Sequence, residues 1–401
     1  MLRALKLNIS KFLVPFFEMG AKAISFIVIV LLTRIISVED YGIYSFSIAI
    51  ASWFTIFADL GVSWFTFNNA IKKDSSLLDL SINSRLFQSL VVLFIVPLFF
   101  VGTSNSFWIT FLVTFFFLNT GFVKFIQIIF RGLEQSKNDI ILASSEPIAR
   151  LILMLVLYIF DIEISLLGIC IGFSLIGLVL TIIFFVINLR KLNFKLFIPP
   201  FNDYVPLLGK TKYYFLYQVF QVGIGRMDIF FLEKYLDFKQ VAYFSSAYNF
   251  YSAATLFLMA FITVNLKPLF YRVKLKHFLI FLALNLIMIA IYVMYLKDLY
   301  TVIYPIDYKP GAMILAILCL ALPFYAAYQL KLLHNNYNNK TLQTVVAFGA
   351  VFCLKALTYF VLTAKSLYFA AVIFSTFEII TFLLIFGIHK LRTHNEGTAD
   401  K

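Results

Sequence analysis

Ten ionisable side chains sit in stretches otherwise apolar enough to cross a membrane. They are the cations Lys22, Lys124, Arg150, Arg226 and Lys355 and the anions Glu18, Asp59, Glu146, Asp228 and Glu378. A charge at mid-bilayer costs about 2.5–3.5 kcal/mol on insertion scales, so each must face protein or a wet cavity. Cations in such a place can hold an anionic group, arginine by a two-pronged pairing and lysine as a point charge. A carboxylate there suits exchange of a proton or Na⁺, and Asp228 and Glu378 are the candidates for such ion coupling. Spacing supplies a plainer reading for some. Glu18–Lys22 and Glu146–Arg150 are four apart, on one helix face, and such pairs can neutralise each other merely to permit insertion. Lys124 and Asp59 lie near span ends, where side chains can reach for water. Arg226 and Lys355 have no acid four residues away. Both readings stay open at this point.

These residues have to be positioned by helices. The chain has 401 residues, 62% hydrophobic and 13% charged, about half the charge of a soluble domain. Apolar runs of about 20 residues recur along it, each a candidate transmembrane helix. Twelve spans are predicted, at 12–33, 41–66, 86–103, 107–130, 140–160, 164–188, 213–233, 241–266, 277–296, 311–330, 342–363 and 366–388. With the N-terminus inside, 22 of the 33 Lys and Arg fall in cytoplasmic segments, 6 in outer loops and 5 within spans. This positive-inside bias puts both termini in the cytoplasm. It also explains the net charge of +13 by topology and anionic lipid rather than nucleic acid. The apolar run after Lys11 is too long for a cleavable signal. Three cysteines in apolar runs and four scattered histidines predict neither disulfide nor metal site. No phosphate-binding glycine loop occurs, so no cofactor is expected and ATP is not the direct driver.

Polar stripes run along several of these helices. Thr120, Lys124, Gln127 and Arg131 share a face, as do Ser45, Ser52, Asp59 and Ser63, and Tyr214, Gln218, Gln221, Gly225 and Asp228. The bundle is therefore expected to enclose a hydrophilic space. Of 22 tyrosines, 19 follow residue 200. Tyr217, Tyr248, Tyr251, Tyr325 and Tyr328 lie deep in spans; they suit stacking on sugar rings, or simply packing. Pro97, Pro147 and Pro323 lie inside spans and are expected to bend them.

The chain also repeats itself. At an offset of 200, Leu32, Ser45, Ser52, Thr55 and Phe57 match Leu232, Ser245, Ser252, Thr255 and Phe257, and Arg34 matches Lys234. Both segments are the outer hairpin between the first two spans of a half. The expected organisation is an N-terminal six-helix lobe (1–188), a cytoplasmic connection (189–212), a C-terminal six-helix lobe (213–390) and a cytoplasmic tail (391–401). Parallel repeats of this kind rock about a central site in transporters. Arg34 and Lys234, beside Glu39, Asp40, Glu233 and Asp237, are then candidates for an outer gate, or else plain interface anchors.

Several segments resemble one known family in order and spacing. "LLTRIISVEDYGIYSFSIAIASWFTIFADLGVSWFTFNNAIKK" (31–73) is similar to the N-terminal signature of bacterial polysaccharide exporters. "IIFRGLEQ" (128–135), "GRMDIFFLEKYLDFKQVAYFSSAYNF" (225–250) and "YPIDYKPGAMIL" (304–315) resemble their later spans. The resemblance is to the O-antigen (Wzx-type) flippases of the multidrug/oligosaccharidyl-lipid/polysaccharide exporter superfamily. It implies an all-α, MATE-like integral membrane protein that is not an enzyme. The implied activity is moving undecaprenyl-diphosphate-linked oligosaccharide across the bacterial inner membrane, with H⁺ or Na⁺ as a coupling ion and other polysaccharide assembly proteins as possible partners. The diphosphate would fall to Lys22, Lys124, Arg150, Arg226 and Lys355. Two other readings compete: an ion-coupled multidrug antiporter, whose cavity would be less cationic, and a membrane polysaccharide polymerase. The polymerase would need a large outer loop with catalytic Arg or His. The longest outer loop here, 297–310, has 14 residues and no histidine.

Overall fold

The structure is a computed structural model describing residues 2–72, 75–100, 106–192, 195–264, 295, 298–337, 341–362 and 366–399. Among these there is no strand. The helices are α1 (Leu2–Ile35), α2 (Val38–Asp59), α3 (Val62–Lys72), α4 (Ser75–Phe100), α5 (Ser106–Gly132), α6 (Ser136–Ile159), α7 (Leu166–Leu192), α8 (Phe201–Tyr235), α9 (Phe238–Val264), α10 (Pro310–Cys319), α11 (Leu322–Tyr337), α12 (Thr341–Val361) and α13 (Leu367–Ala399). A 3-10 turn, Ile306–Tyr308, precedes α10. Eight helices among the described residues are long and apolar enough to cross a membrane, nine if the bent pair α10–α11 is one span. The protein is therefore a multi-pass membrane protein. The span expected at 277–296 lies, but for Tyr295, outside the described residues.

Contacts divide the chain into two compact units, Met1–Val219 and Phe220–Lys401, with the division inside α8. In the first unit α5 is the hub, packing on α2, α3, α4, α6 and α7. Its sequence explains part of this: Phe122, Val123, Phe125, Ile126, Ile129 and Phe130 form an apolar face opposite the polar stripe, and all are buried. An apolar face this wide has to be covered by neighbouring helices. In the second unit α13 packs on α10, α11 and α12, and α9 on α10 and α11.

The 200-residue repeat is present in the hydrogen bonds. α1 ends at Ile35 and α8 at Tyr235; α2 starts at Val38 and α9 at Phe238. Ile36 N–H donates to the Leu32 carbonyl and Leu236 N–H to that of Leu232; Tyr41 N–H donates to Ser37 O and Val241 N–H to Asp237 O. The caps correspond too. The Ser37 hydroxyl accepts from Asp40 N–H at 3.1 Å, and the Asp237 carboxylate accepts from Gln240 N–H at 2.8 Å. Each satisfies one of the orphan donors at a helix start. Ser37→Ala and Asp237→Ala are each expected to lower stability by about 1 kcal/mol, while Asp237→Asn, which keeps an acceptor, leaves it nearly unchanged; thermal melts of purified protein check this.

Two predicted spans are each broken into two helices. The second, 41–66, breaks at Leu60 and Gly61, which adopt positive φ of 44° and 78°. Only glycine visits that region without penalty. The tenth, 311–330, bends by 44° between α10 and α11. Pro323, second residue of α11, lacks the N–H that would bond the Cys319 carbonyl, so the helix cannot run through. Pro97 and Pro147, in contrast, sit inside α4 and α6. Of the 189–212 connection, residues 195–200 are non-helical and 201–212 are the opening turns of α8. Asn83 of α4 holds this connection by its side-chain amide, donating to Lys195 O at 3.0 Å and accepting from Phe197 N–H at 3.0 Å.

Candidate functional site

The polar centre of the second unit is built by α8, α11, α12 and α13. Asp228 and Lys355 are both fully buried and face each other, Nζ to Oδ2 at 2.6 Å. Lys355 also donates to the main-chain carbonyl of Ile224 at 2.8 Å, and the Tyr359 hydroxyl donates to Asp228 Oδ1. A helix carbonyl has a second lone pair beyond its intrahelical bond, which the ammonium uses here. The Phe374 ring lies 5.3 Å from the ammonium. Lys355 thus has no acid on its own helix but has one on α8. Arg226 and Asp228, two apart, point to different partners: the Arg226 guanidinium lies over the Tyr248 ring at 5.7 Å. Arg226 is half-buried.

Beside this pair lies an aromatic cluster. Tyr248, Tyr251, Tyr325 and Tyr328 follow one another with centroids 6.1, 6.3 and 5.3 Å apart, and Phe374 meets Tyr248 and Tyr251. At its end the Tyr328 hydroxyl donates to buried Glu378 at 2.6 Å. The sequence-predicted residues Arg226, Asp228, Lys355 and Glu378 and four of the five deep tyrosines therefore meet in one place. Tyr217 belongs to the other unit.

The first unit holds three charge clusters. At the end of α5, Arg131 binds Asp139 at 3.0 Å and Glu18 at 3.1 Å, Glu18 also pairs with Lys22 at 3.7 Å, and Gln127 donates to Asp139 at 2.7 Å. Lys124 is exposed on the same stripe and within electrostatic range of Lys22. Three cations against two carboxylates leave this cluster with a net positive charge. Arg150 is different. It pairs with Glu146 on α6 and is closed in by the Phe116 and Phe173 rings, 5.2 and 5.5 Å away. The third cluster surrounds Asp59, which accepts from Ser63, from Gln218 at 3.1 Å and faces Arg85 at 3.8 Å. Arg85 is 2% exposed. Gly121 gives it room: a Cβ there would lie 3.2 Å from the guanidinium.

Sequence reasoning missed Arg85, which looked like a loop residue ahead of the third span; α4 begins ten residues before it. It also passed over Tyr359, although Lys355 and Tyr359 are four apart and share a helix face. Arg34 and Lys234, the gate candidates, are both exposed at equivalent places in the two hairpins. The acids beside them are engaged locally, Asp40 with the Ser37 hydroxyl at 2.8 Å and Asp237 as a cap. Among the described residues no group of three or more His, Cys, Asp or Glu could hold a metal.

Comparison with solved structures finds the same fold in membrane transporters. A structure of the lipid II flippase MurJ in an inward closed conformation matches with a TM-score of 0.71 and 16% identity, over 94% of this chain and 87% of that one. An inward-facing multidrug resistance MATE family transporter of the MOP superfamily gives 0.63 and 12%, over 98% and 100%. The MATE transporter VcmN of Vibrio cholerae gives 0.60 and 12%, over 98% and 99%. Among curated proteins the sequence has no match. The model of one family, polysaccharide biosynthesis protein, matches residues 16–274. With well over half its length matched by that model, the chain belongs to the polysaccharide biosynthesis protein family.

Proposed function

We propose that this protein is a flippase that moves an undecaprenyl-diphosphate-linked oligosaccharide, an O-antigen or capsule repeat unit, across the bacterial inner membrane by ion-coupled alternating access. The carrying observation is family membership along 16–274. In this reading the chain crosses the membrane twelve times with both termini in the cytoplasm, on the strength of the 22-to-6 bias of basic residues. Arg226 is the cation best placed to meet the diphosphate, because its guanidinium rests on a tyrosine ring rather than on an acid. Lys22 and Lys124 add a second positive surface. Lys355 and Arg150 already have carboxylate partners and take part by exchanging them. The tyrosines between Arg226 and Glu378 stack the sugars. Asp228 and Glu378 carry the coupling H⁺ or Na⁺, and Arg34 and Lys234 belong to the outer gate.

The test is genetic. Deleting the gene should leave lipid-linked repeat units facing the cytoplasm and abolish the surface polymer, with the full chain restoring it. Arg226→Ala should restore little polymer at equal protein level, and Arg226→Lys most of it. Normal polymer in the deletion strain, with no second exporter gene present, overturns the proposal. The competing reading, an ion-coupled multidrug antiporter, rests on the MATE likeness over 98% of the chain; it predicts changed drug resistance and unchanged polymer in the same strain.

A further inference from the structure

The connection that leads into α8 exposes large apolar side chains before the span expected at 213–233 begins. Ile198 is 83% exposed and Phe201 78%, and Leu196 and Val205 are exposed beside them. Single exposed apolar residues need no account. Four within ten positions make a patch, and a patch marks a surface that something covers.

The opening turns of α8 divide into three sectors at about 100° per residue. Tyr204, Leu207 and Thr211 face inward; Leu207 and Thr211 are buried, and Tyr204 packs on Phe87 of α4 at 6.1 Å. Next to Tyr204 comes an apolar sector of Phe201, Val205, Leu208 and Leu216, with Lys212 among them. Asn202, Asp203, Pro206 and Lys210 form a polar sector beyond it, and all four are exposed. The apolar sector therefore borders α4. There the exposed residues Phe87, Val91, Phe94 and Leu98 form a stripe along a candidate membrane span. An exposed apolar stripe on a span is covered by lipid, so the patch at 196–205 is continuous with the lipid-covered surface. Asn83, four residues before Phe87, holds the main chain of 195 and 197 at that level.

The charges agree. Lys195 has Asp79 beside it and is left out of the count. The rest of 190–212 carries Arg190, Lys191, Lys210 and Lys212 against one acid, Asp203. Basic residues next to a span are drawn to anionic lipid. Lys212 stands in the apolar sector with its ammonium 5.1 Å over the Tyr213 ring. A lysine lying along apolar surface beside a tyrosine is the pattern of the headgroup level.

We propose that residues 196–205 lie in the interface of the bilayer, with Leu196, Ile198, Phe201 and Val205 turned into its apolar side, and that this segment binds anionic phospholipid. A protein partner on the same patch would have to cover part of the lipid-facing stripe of α4 as well. The proposal does not depend on what the protein carries.

The test uses the full chain with Cys353→Ser, reconstituted into phosphatidylcholine vesicles with or without phosphatidylglycerol. Cys170 and Cys319 are buried, so a nitroxide label goes to an introduced cysteine. Labels at Ile198→Cys and Phe201→Cys should collide several-fold more with dissolved oxygen than with a water-soluble nickel chelate. A label at Asp203→Cys, in the polar sector, should do the reverse. The two apolar positions report independently, so loss of one variant leaves the other decisive. Phosphatidylglycerol should carry the 198 label deeper, and Lys210→Gln with Lys212→Gln should remove that response. Free access of the chelate to both apolar positions overturns the proposal by placing the segment in water. Shielding of both from oxygen and chelate alike, with spin–spin broadening between labels, overturns it by giving the patch to a second copy of the chain. A 198 depth that ignores phosphatidylglycerol overturns the binding of anionic lipid.

Discussion

Lys355→Met is expected to cost about 3–5 kcal/mol and to leave little folded protein, because it strands Asp228 as an unpaired buried charge. Among the described residues its other hydrogen-bond partner, Tyr359, is a neutral hydroxyl donor. The double variant Lys355→Met with Asp228→Asn removes both charges and keeps an acceptor for Tyr359. Replacing a whole buried pair with groups of similar volume is often neutral, so melting should return to within about 1 kcal/mol of the unaltered protein. The two readings of the pair then separate. A pair that only permits insertion would be dispensable once both charges are gone, and polymer would return with the fold. We expect the fold to return and export not to, since the Phe374 ring beside Lys355 also meets Tyr248 and Tyr251 of the aromatic cluster. Full export by the double variant would reduce the pair to a structural device. A Lys355→Met protein as stable as the original would mean that Asp228 is not held charged in the fold.

What could be read in the sequence, and what could not, follows the range of each interaction. The membrane class, the apolar helices and the 200-residue repeat are local or periodic signals, and the hairpins at Ser37 and Asp237 repeat even in their caps. The helix-internal pairs Glu18–Lys22 and Glu146–Arg150 are also local and are present. Pairing between helices has no spacing signature. Arg85 meets Asp59 across 26 positions of sequence and Lys355 meets Asp228 across 127; only packing brings them together. Thus Lys355, which looked the least compensated of the cations, is the most fully buried and paired. The stripe on α5 was legible as polar, yet which of its members would be spoken for was not: Gln127 and Arg131 bind Asp139, while Lys124 stays exposed. The break after Asp59 was missed because "DLGV" sits inside one apolar run, and hydropathy carries no information on the sign of φ. A glycine following the last residue of a helical pattern was the available signal.

That glycine is the site of the second large expected effect. Gly61→Ala should abolish accumulation of folded protein. Two penalties add. At φ 78° any residue with a Cβ pays about 1–2 kcal/mol for the left-handed conformation. The added Cβ would also stand 2.6 Å from the Thr211 carbonyl oxygen and 2.7 Å from the Phe215 nitrogen. Both are main-chain atoms of α8, so no rotamer change relieves the overlap; the whole helix must move off the α2–α3 break. That displacement would also pull Gln218 from Asp59 and so disturb the Arg85 cluster. The consequence is not confined to one unit's core, because α8 is a single helix that continues to Arg226 and Asp228. Trimming Thr211→Ser or Tyr214→Ala in the Gly61→Ala background should not rescue, since neither substitution moves the backbone. By comparison Gly209→Ala, on the same helix with nothing within 4 Å of the new Cβ, should be neutral or slightly stabilising, as alanine is the better helix former. The measurement is the yield and melting temperature of the purified variants. A folded, active Gly61→Ala protein would show that α8 can stand away from the break, and that the close approach of the two backbones is not needed to hold the first half of α8 in place.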